Sequence, residues 1–193
     1  MDEDLLQDID GYLVILGAIL KTWSPRQRIA FAAALAERWL PAYRQFAAEE
    51  DWGDPDLLQE ILEAVWDHVR GKAISPAKVA EYRKAVVKNC PDMDEFDAWQ
   101  ALCACQMLDQ TLDCCSRTDP NEVIDLVKKA ACAAYDAAAQ EEPDDDPESK
   151  KRTWRLPGVQ REFAHFYQLA QRVYWLIQPD GPAVDALRTS LRN

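Results

Sequence analysis

Histidine is almost missing from this chain, with two in 193 residues, and glycine is scarce, with six. Two histidines far apart in sequence leave little material for a Cys-His or Ser-His-Asp couple. The sequence contains no G-x-G-x-x-G, no G-x-x-x-x-G-K, no G-x-S-x-G and no H-E-x-x-H. The local signatures of dinucleotide binding, phosphate cradling, hydrolase nucleophiles and zinc proteolysis are therefore absent. β-Branched residues and alternating apolar-polar runs are few, which argues against sheets. Basic residues are outnumbered 22 to 34 by acids, for a net charge of -12. Such a charge repels phosphate backbones and anionic headgroups, so neither nucleic acid nor a membrane is an expected partner. The first residues, MDEDLLQDID, lack the lysine or arginine of a secretory leader, and the apolar run YLVILGAIL is short for a membrane span. A cytoplasmic protein is expected, with its six cysteines as thiols.

What is present is alanine, leucine, glutamate and glutamine, the composition of helices. A capping residue followed by proline recurs at Ser24-Pro25, Asp54-Pro55, Ser75-Pro76 and Asp119-Pro120. The side-chain oxygen accepts a free first-turn N–H, and proline at the first helical position loses nothing by lacking its own. Around these starts the periodicity predicts helices over 4–21, from Pro25 through Phe46, over Pro55–Arg70 ending at Gly71, and over Pro76–Lys88. It continues with a central helix over 95–115, one over 120–140, one over 157–178, and a short last helix in GPAVDALRTSLR. The expected fold is all-α, a single-domain bundle of about seven or eight helices over 1–193, with an exposed acidic loop at 141–153. Helix one reads as apolar nearly all round, and Trp39, Trp66, Trp99 and Trp175 read as core.

Pro41 lies inside the apolar period of the second helix, which is expected to bend there because the Glu37 carbonyl loses its donor. Glu37 and Arg38 are read as a polar cluster bracing that bend. Glu60, Glu63 and Asp67 share one face of the third helix, read as wet and partly paired with Arg70. A carboxylate-bridged metal site in a bundle needs Glu-x-x-His on two helices. The motif occurs once, at Glu162 to His165, so no metal and no cofactor are expected. Cys103 and Cys105 lie about 200° apart around a helix, and Cys103 and Cys114 about 16 Å apart along it, so neither pair closes a tetrahedral site alone. The thiols read as small core hydrophobes, with a Cys114-Cys115 pair or Cys90 as the redox alternative. Trp52, in EEDWGDP, either staples neighbouring helices or stands as a contact point, and Asp54 caps the helix that follows.

The string Glu37-Arg38, Pro41, Tyr43, Phe46, Gly53-Asp54, followed by ILEAVWD, resembles the YjaG-like family of bacterial proteins, as do DEFDAWQALCACQML and LPGVQREFAHF further on. The resemblance implies an all-helical single domain and no activity. The expected function is a non-catalytic protein–protein interaction module. Its acidic part, -17 before Lys150 against +5 from there onward, would face a basic partner, as in an inhibitor or immunity-type protein. The other reading is a small-ligand protein or enzyme with an interhelical pocket near Glu37, Arg38 and Tyr43. The candidate binding residues are Glu37, Arg38, Tyr43, Trp52 and Asp54, and homodimerisation through residues 1–21 is a further expectation.

Overall fold

The proline-led signals become helix starts. The computed structural model describes residues 9–93, 98–116, 119, 121–127, 129–130, 156–176 and 181–191. Ser24 opens α2 (Pro25–Glu50) with a capping box, its Oγ accepting from Gln27 N at 3.3 Å while Gln27 Oε1 accepts from Ser24 N at 2.9 Å. Asp54 Oδ1 accepts from Leu57 N at 2.9 Å to open α3 (Pro55–Val69), and Ser75 Oγ accepts from Lys78 N at 3.2 Å to open α4 (Pro76–Lys88). Asp119 accepts from Asn121 N at 2.9 Å, and residues 121–127 are helical (α6). The remaining helices are α1 (Ile9–Lys21), α5 (Trp99–Ser116), α7 (Pro157–Tyr174) and α8 (Gly181–Leu191). Among the described residues there is no strand, and no helix is long and apolar enough to cross a membrane. The expected helical segments 4–8, 95–97, 131–140 and 177–178, and the acidic loop at 141–153, lie outside the described residues.

The bundle is organised around α2, which packs against α5, α3, α7 and α8, with α4 and α3 also on α5. Residues 28–36 of α2 are buried in unbroken succession, five of them alanines. Alanine lets neighbouring helices approach closely on several sides at once. The closeness shows at Thr111 of α5, whose Oγ1 stands 3.2 Å from the Ala32 carbonyl of α2 and 2.7 Å from its own Met107 carbonyl. α5 is central as expected, but it shares the centre with α2. α3 buries Leu58, Ile61, Leu62, Val65, Trp66 and Val69, the anticipated stripe plus one tryptophan.

α7 stops at Tyr174, short of the expected 178: Trp175 N–H turns back to Val173 O, and Leu176 N–H does the same at 2.9 Å. α1 is apolar on its outward side as well as its covered one, as expected, but only one side is buried. Tyr12, Leu16 and Leu20 are buried, whereas Val14 is 66% exposed. Tyr12 joins α1 to α7, its hydroxyl donating to Phe163 O at 3.2 Å and its ring meeting that of Phe163 edge-on. Of the tryptophans expected in the core, Trp66 is fully enclosed, Trp39 is half-buried, and Trp99 and Trp175 are exposed. Helical spacing places a residue on a face but does not say whether a neighbour covers that end of the helix.

An alanine-lined contact tolerates enlargement poorly. Ala33→Leu is expected to lower stability by about 1–3 kcal/mol through overpacking, whereas Val14→Ala on the open face of α1 stays within about 0.5 kcal/mol. Urea unfolding midpoints for the two variants check this.

Candidate functional site

Glu37, Arg38 and Tyr43 ride on α2 immediately after its enclosed stretch, and Trp52 and Asp54 sit in the turn that joins it to α3. Successive residues on a helix differ by about 100° in direction, and the structure sends these side chains to separate partners.

Glu37 turns toward α3 and α8. Its carboxylate accepts from Arg188 Nε at 3.1 Å and Nη2 at 3.0 Å, and from Trp66 Nε1 at 2.8 Å. Arg188 bonds Glu63 with its outer nitrogens, at 2.7 and 2.5 Å, and its guanidinium lies 5.3 Å from the Trp66 ring centre. The side chains of Arg188 and Glu37 are each only 10% exposed. One planar cation thus fits two carboxylates and an indole face, a geometry open to arginine and closed to lysine. Burial alone would loosen Arg188's proton, but the bonds and charges of Glu63 and Glu37 outweigh it and raise its pKa. Arg188 holds Glu63 below the usual carboxylate range against the opposing effect of burial, with smaller help from Gln59 and Arg70. Glu63 keeps its side chain 44% exposed on the expected wet face while it takes Arg188. On the same face Asp67 pairs with Arg70, as expected, and with Lys72, and Arg70 reaches on to Asp185 of α8 at 2.5 Å.

Arg38 points the other way, to α7, and grips Glu162 with both outer nitrogens at 2.6 and 2.5 Å. Glu37 and Arg38 therefore do not form one cluster beside Pro41. Burial pushes Glu162 up even against Arg38, and burial followed by the charges of Arg38 and Arg172 pushes His165 down. The single Glu-x-x-His is occupied by an ion pair. Arg44, the other nearby donor, bonds Asp56 at 3.0 Å on the surface.

Tyr43 is fully enclosed, and its hydroxyl donates to the Asn89 carbonyl at 2.9 Å. Burial, then the nearby Cys105, drives its pKa up. Asn89, at the end of α4, is the junction here. Its Oδ1 accepts from Asp54 N at 2.8 Å, its Nδ2 donates to Ala85 O at 2.9 Å, and its carbonyl also faces Cys105 Sγ at 3.3 Å. Gly53, at φ +80°, lies so close to the Tyr43 hydroxyl that a Cβ would collide with it. Trp52 packs edge-on against Phe46 of α2, ring centres 5.8 Å apart, so it staples back onto the preceding helix. α4 is tied to α5 by Arg83, which bonds Asp109 at 2.8 and 2.9 Å and Asp113 at 2.8 Å.

Arg188 and Asn89 were missed by sequence reasoning. Arg188 lies 151 residues from Glu37, and no local motif signals such a partner. Asn89 ends a helix, where asparagine is ordinary. Among the described residues, no three of His, Cys, Asp and Glu are grouped to hold a metal ion. What the polar groups do is tie helices: α8 to α2 and α3, α7 to α2, and α4 to the α2–α3 turn and to α5.

An all-helical bundle wrapped on an alanine-rich helix and laced by these ties defines the class of protein. The family described as "Protein of unknown function (DUF416)" matches residues 18–193, and the chain belongs to it. The uncharacterized proteins YjaG of Salmonella typhimurium and Escherichia coli are 26% identical over 98 residues and 27% over 96. These matches span 48% and 47% of this chain, and about half the length of each relative, 47% and 46%. A crystal structure of a DUF416 family protein from Shewanella baltica superposes with a TM-score of 0.80, covering 91% of this chain and 92% of that one at 18% identity. That likeness is one of fold.

Removing Arg188 leaves Glu37 enclosed without its cation, so Arg188→Ala is expected to cost about 3–5 kcal/mol in urea unfolding. The depressed carboxyl of Glu63 sets a pH dependence. Its ordinary value is 4.5 and its folded value lies lower, so its stabilisation is complete above that value and is lost as pH falls through the folded pKa. Stability measured from pH 7 to pH 3 should therefore fall less steeply below about 4.5 in Glu63→Gln than in the parent chain. At the other junction, Gly53→Ala combines a positive φ with the Tyr43 collision and should cost about 1–3 kcal/mol. Gly158→Ala, in the first turn of α7 with open space around it, should be neutral or stabilising. Thermal melts of the pair give the comparison.

Proposed function

We propose that this protein is a non-catalytic protein–protein interaction module of the cytoplasm, built to engage a basic partner in the manner of an inhibitor or immunity-type protein. The observation that carries the reading is the outer face of α7, where Tyr167, Tyr174 and the following Trp175 stand 44%, 51% and 73% exposed. Tyr174 and Trp175 meet edge-on at 5.4 Å, forming a preorganised aromatic ridge. Tyrosine and tryptophan are the residue types that anchor interfaces, because they bring large apolar area at little conformational cost. A net charge of -12 selects the sign of the partner. On the described surface that charge is densest around the α2–α3 turn, where Glu49, Glu50, Asp51, Asp54, Asp56 and Glu60 are exposed. The polar groups a pocket enzyme would use support the same reading, since Glu37, Arg38 and Tyr43 are spent on three internal ties that face different helices.

The competing occupant is a second copy of this chain meeting through α1, whose outward edge carries Val14 and Ala18. Affinity capture, identification of the bound protein and titration with that protein in purified form test the proposal. Trp175→Ala is expected to weaken binding at least about tenfold, and raising the salt from about 0.05 to about 0.5 M should weaken it further. A partner that binds equally at both salts and ignores Trp175→Ala overturns it. So does light scattering that shows only a homodimer dispersed by Val14→Asp.

A further inference from the structure

Two thiols meet at the corner between α4 and α5. Cys90 directly follows Asn89, the cap of α4, and Cys105 lies in the second turn of α5. Cys105 Sγ donates to the Asn89 carbonyl at 3.3 Å. That carbonyl belongs to the peptide that leads into Cys90, so the two thiols lie beside each other and influence each other's ionisation. Cys105 is sealed from solvent, whereas Cys90 is only half-buried on a turn that reaches the surface. The Cys105 thiol beside it holds Cys90 below the ordinary thiol range against burial and the charge of Asp109. The nearby Cys90, with burial, drives Cys105 upward.

The neighbouring cysteines differ in each respect. Burial pushes Cys114 and Cys115 both up to about 12. As consecutive helical residues they point about 100° apart, and Cys115 Sγ is occupied with Thr111 O at 3.4 Å.

We propose that Cys90 and Cys105 form a reversible dithiol–disulfide site oxidised by a hydroperoxide, with Cys90 as the attacking sulfur and Cys105 as the resolving one. The Cys90 thiolate attacks one peroxide oxygen, the O–O bond breaks, and Cys90 becomes a sulfenic acid as the departing oxygen leaves, protonated, as water. The Cys105 sulfur then attacks the Cys90 sulfur, the S–O bond breaks, and the hydroxide released takes the Cys105 proton. In sum, two thiols and one hydrogen peroxide give one disulfide and two waters. Thiols held at neighbouring positions on one corner of the fold can close to a sulfur separation of about 2.05 Å with little movement of the backbone. The disulfide ties the end of α4 to α5 and takes the Cys105 donor from the Asn89 carbonyl, which keeps the hydroxyl of Tyr43.

The test is peroxide treatment of the full chain, alkylation of the remaining thiols and mass spectrometry of the digest. The expected product is a dithiothreitol-reversible linkage between the Cys90 and Cys105 peptides, lighter by two hydrogens. Closing that loop should raise the thermal midpoint by roughly 5–10 °C, an increment lost in Cys90→Ser. In Cys105→Ser, Cys90 should stop at a sulfenic acid that dimedone traps. If that variant does not fold, the peptide map of the parent chain decides alone. No disulfide, a disulfide between other cysteines, or direct passage of Cys90 to a sulfinic acid in the parent chain overturns the proposal.

Discussion

The enclosure of α2 between residues 28 and 36 is the constraint from which the rest of the architecture follows. A helix covered on every side has to present small side chains to its neighbours, and alanine does this without loss of helix propensity. Once that stretch is in place, the next residues have no freedom of direction. Glu37 emerges toward α3 and α8, and Arg38, about 100° further round, toward α7. Tyr43 returns inward to the end of α4.

The polar ties that result act on specificity more than on net stability. Enclosing a guanidinium and its carboxylates costs nearly as much as their attraction returns, and an apolar replacement of the same shape is often as stable. An ion pair nevertheless demands one geometry. Arg188 meets Glu37, Glu63 and the Trp66 ring together only when α8 sits in a single register against α2 and α3. Arg38 with Glu162, and Arg83 with Asp109 and Asp113, set α7 and α4 in the same way. With these groups committed inward, the proposed interaction rests on the exposed aromatic residues and on the charge of the surface. The helical fold itself is shared at low sequence identity, as the superposition with the Shewanella baltica protein at 18% identity shows.

Much of the frame was legible in the chain. Ser24, Asp54 and Ser75, each followed by proline, marked starts that the cap hydrogen bonds then realised, because capping is decided within four residues. The α3 stripe was legible for the same reason, its period being a property of the helix itself. The family string around Glu37 to Asp54 was specific enough to place the chain. The candidate site was legible only in part. Tyr43 and Asp54 do meet at one junction, but through Asn89, and Glu37 and Arg38 part company. Trp99 and Trp175 were read from the same spacing as Trp66, yet Trp99 stands at the first residue of α5 and Trp175 just past the end of α7, and both are exposed.

The sequence by itself determined the helical character of the described segments, the starts of α2, α3 and α4, and the sign of the surface charge. Each depends on neighbours a few residues away or on a simple sum. Tertiary structure alone decided which carboxylate receives which guanidinium, which tryptophan is enclosed, and that Cys105 stands beside the peptide leading into Cys90. Those outcomes depend on how helices cross, so partners as remote as Glu37 and Arg188, 151 residues apart, meet only when the whole bundle has closed.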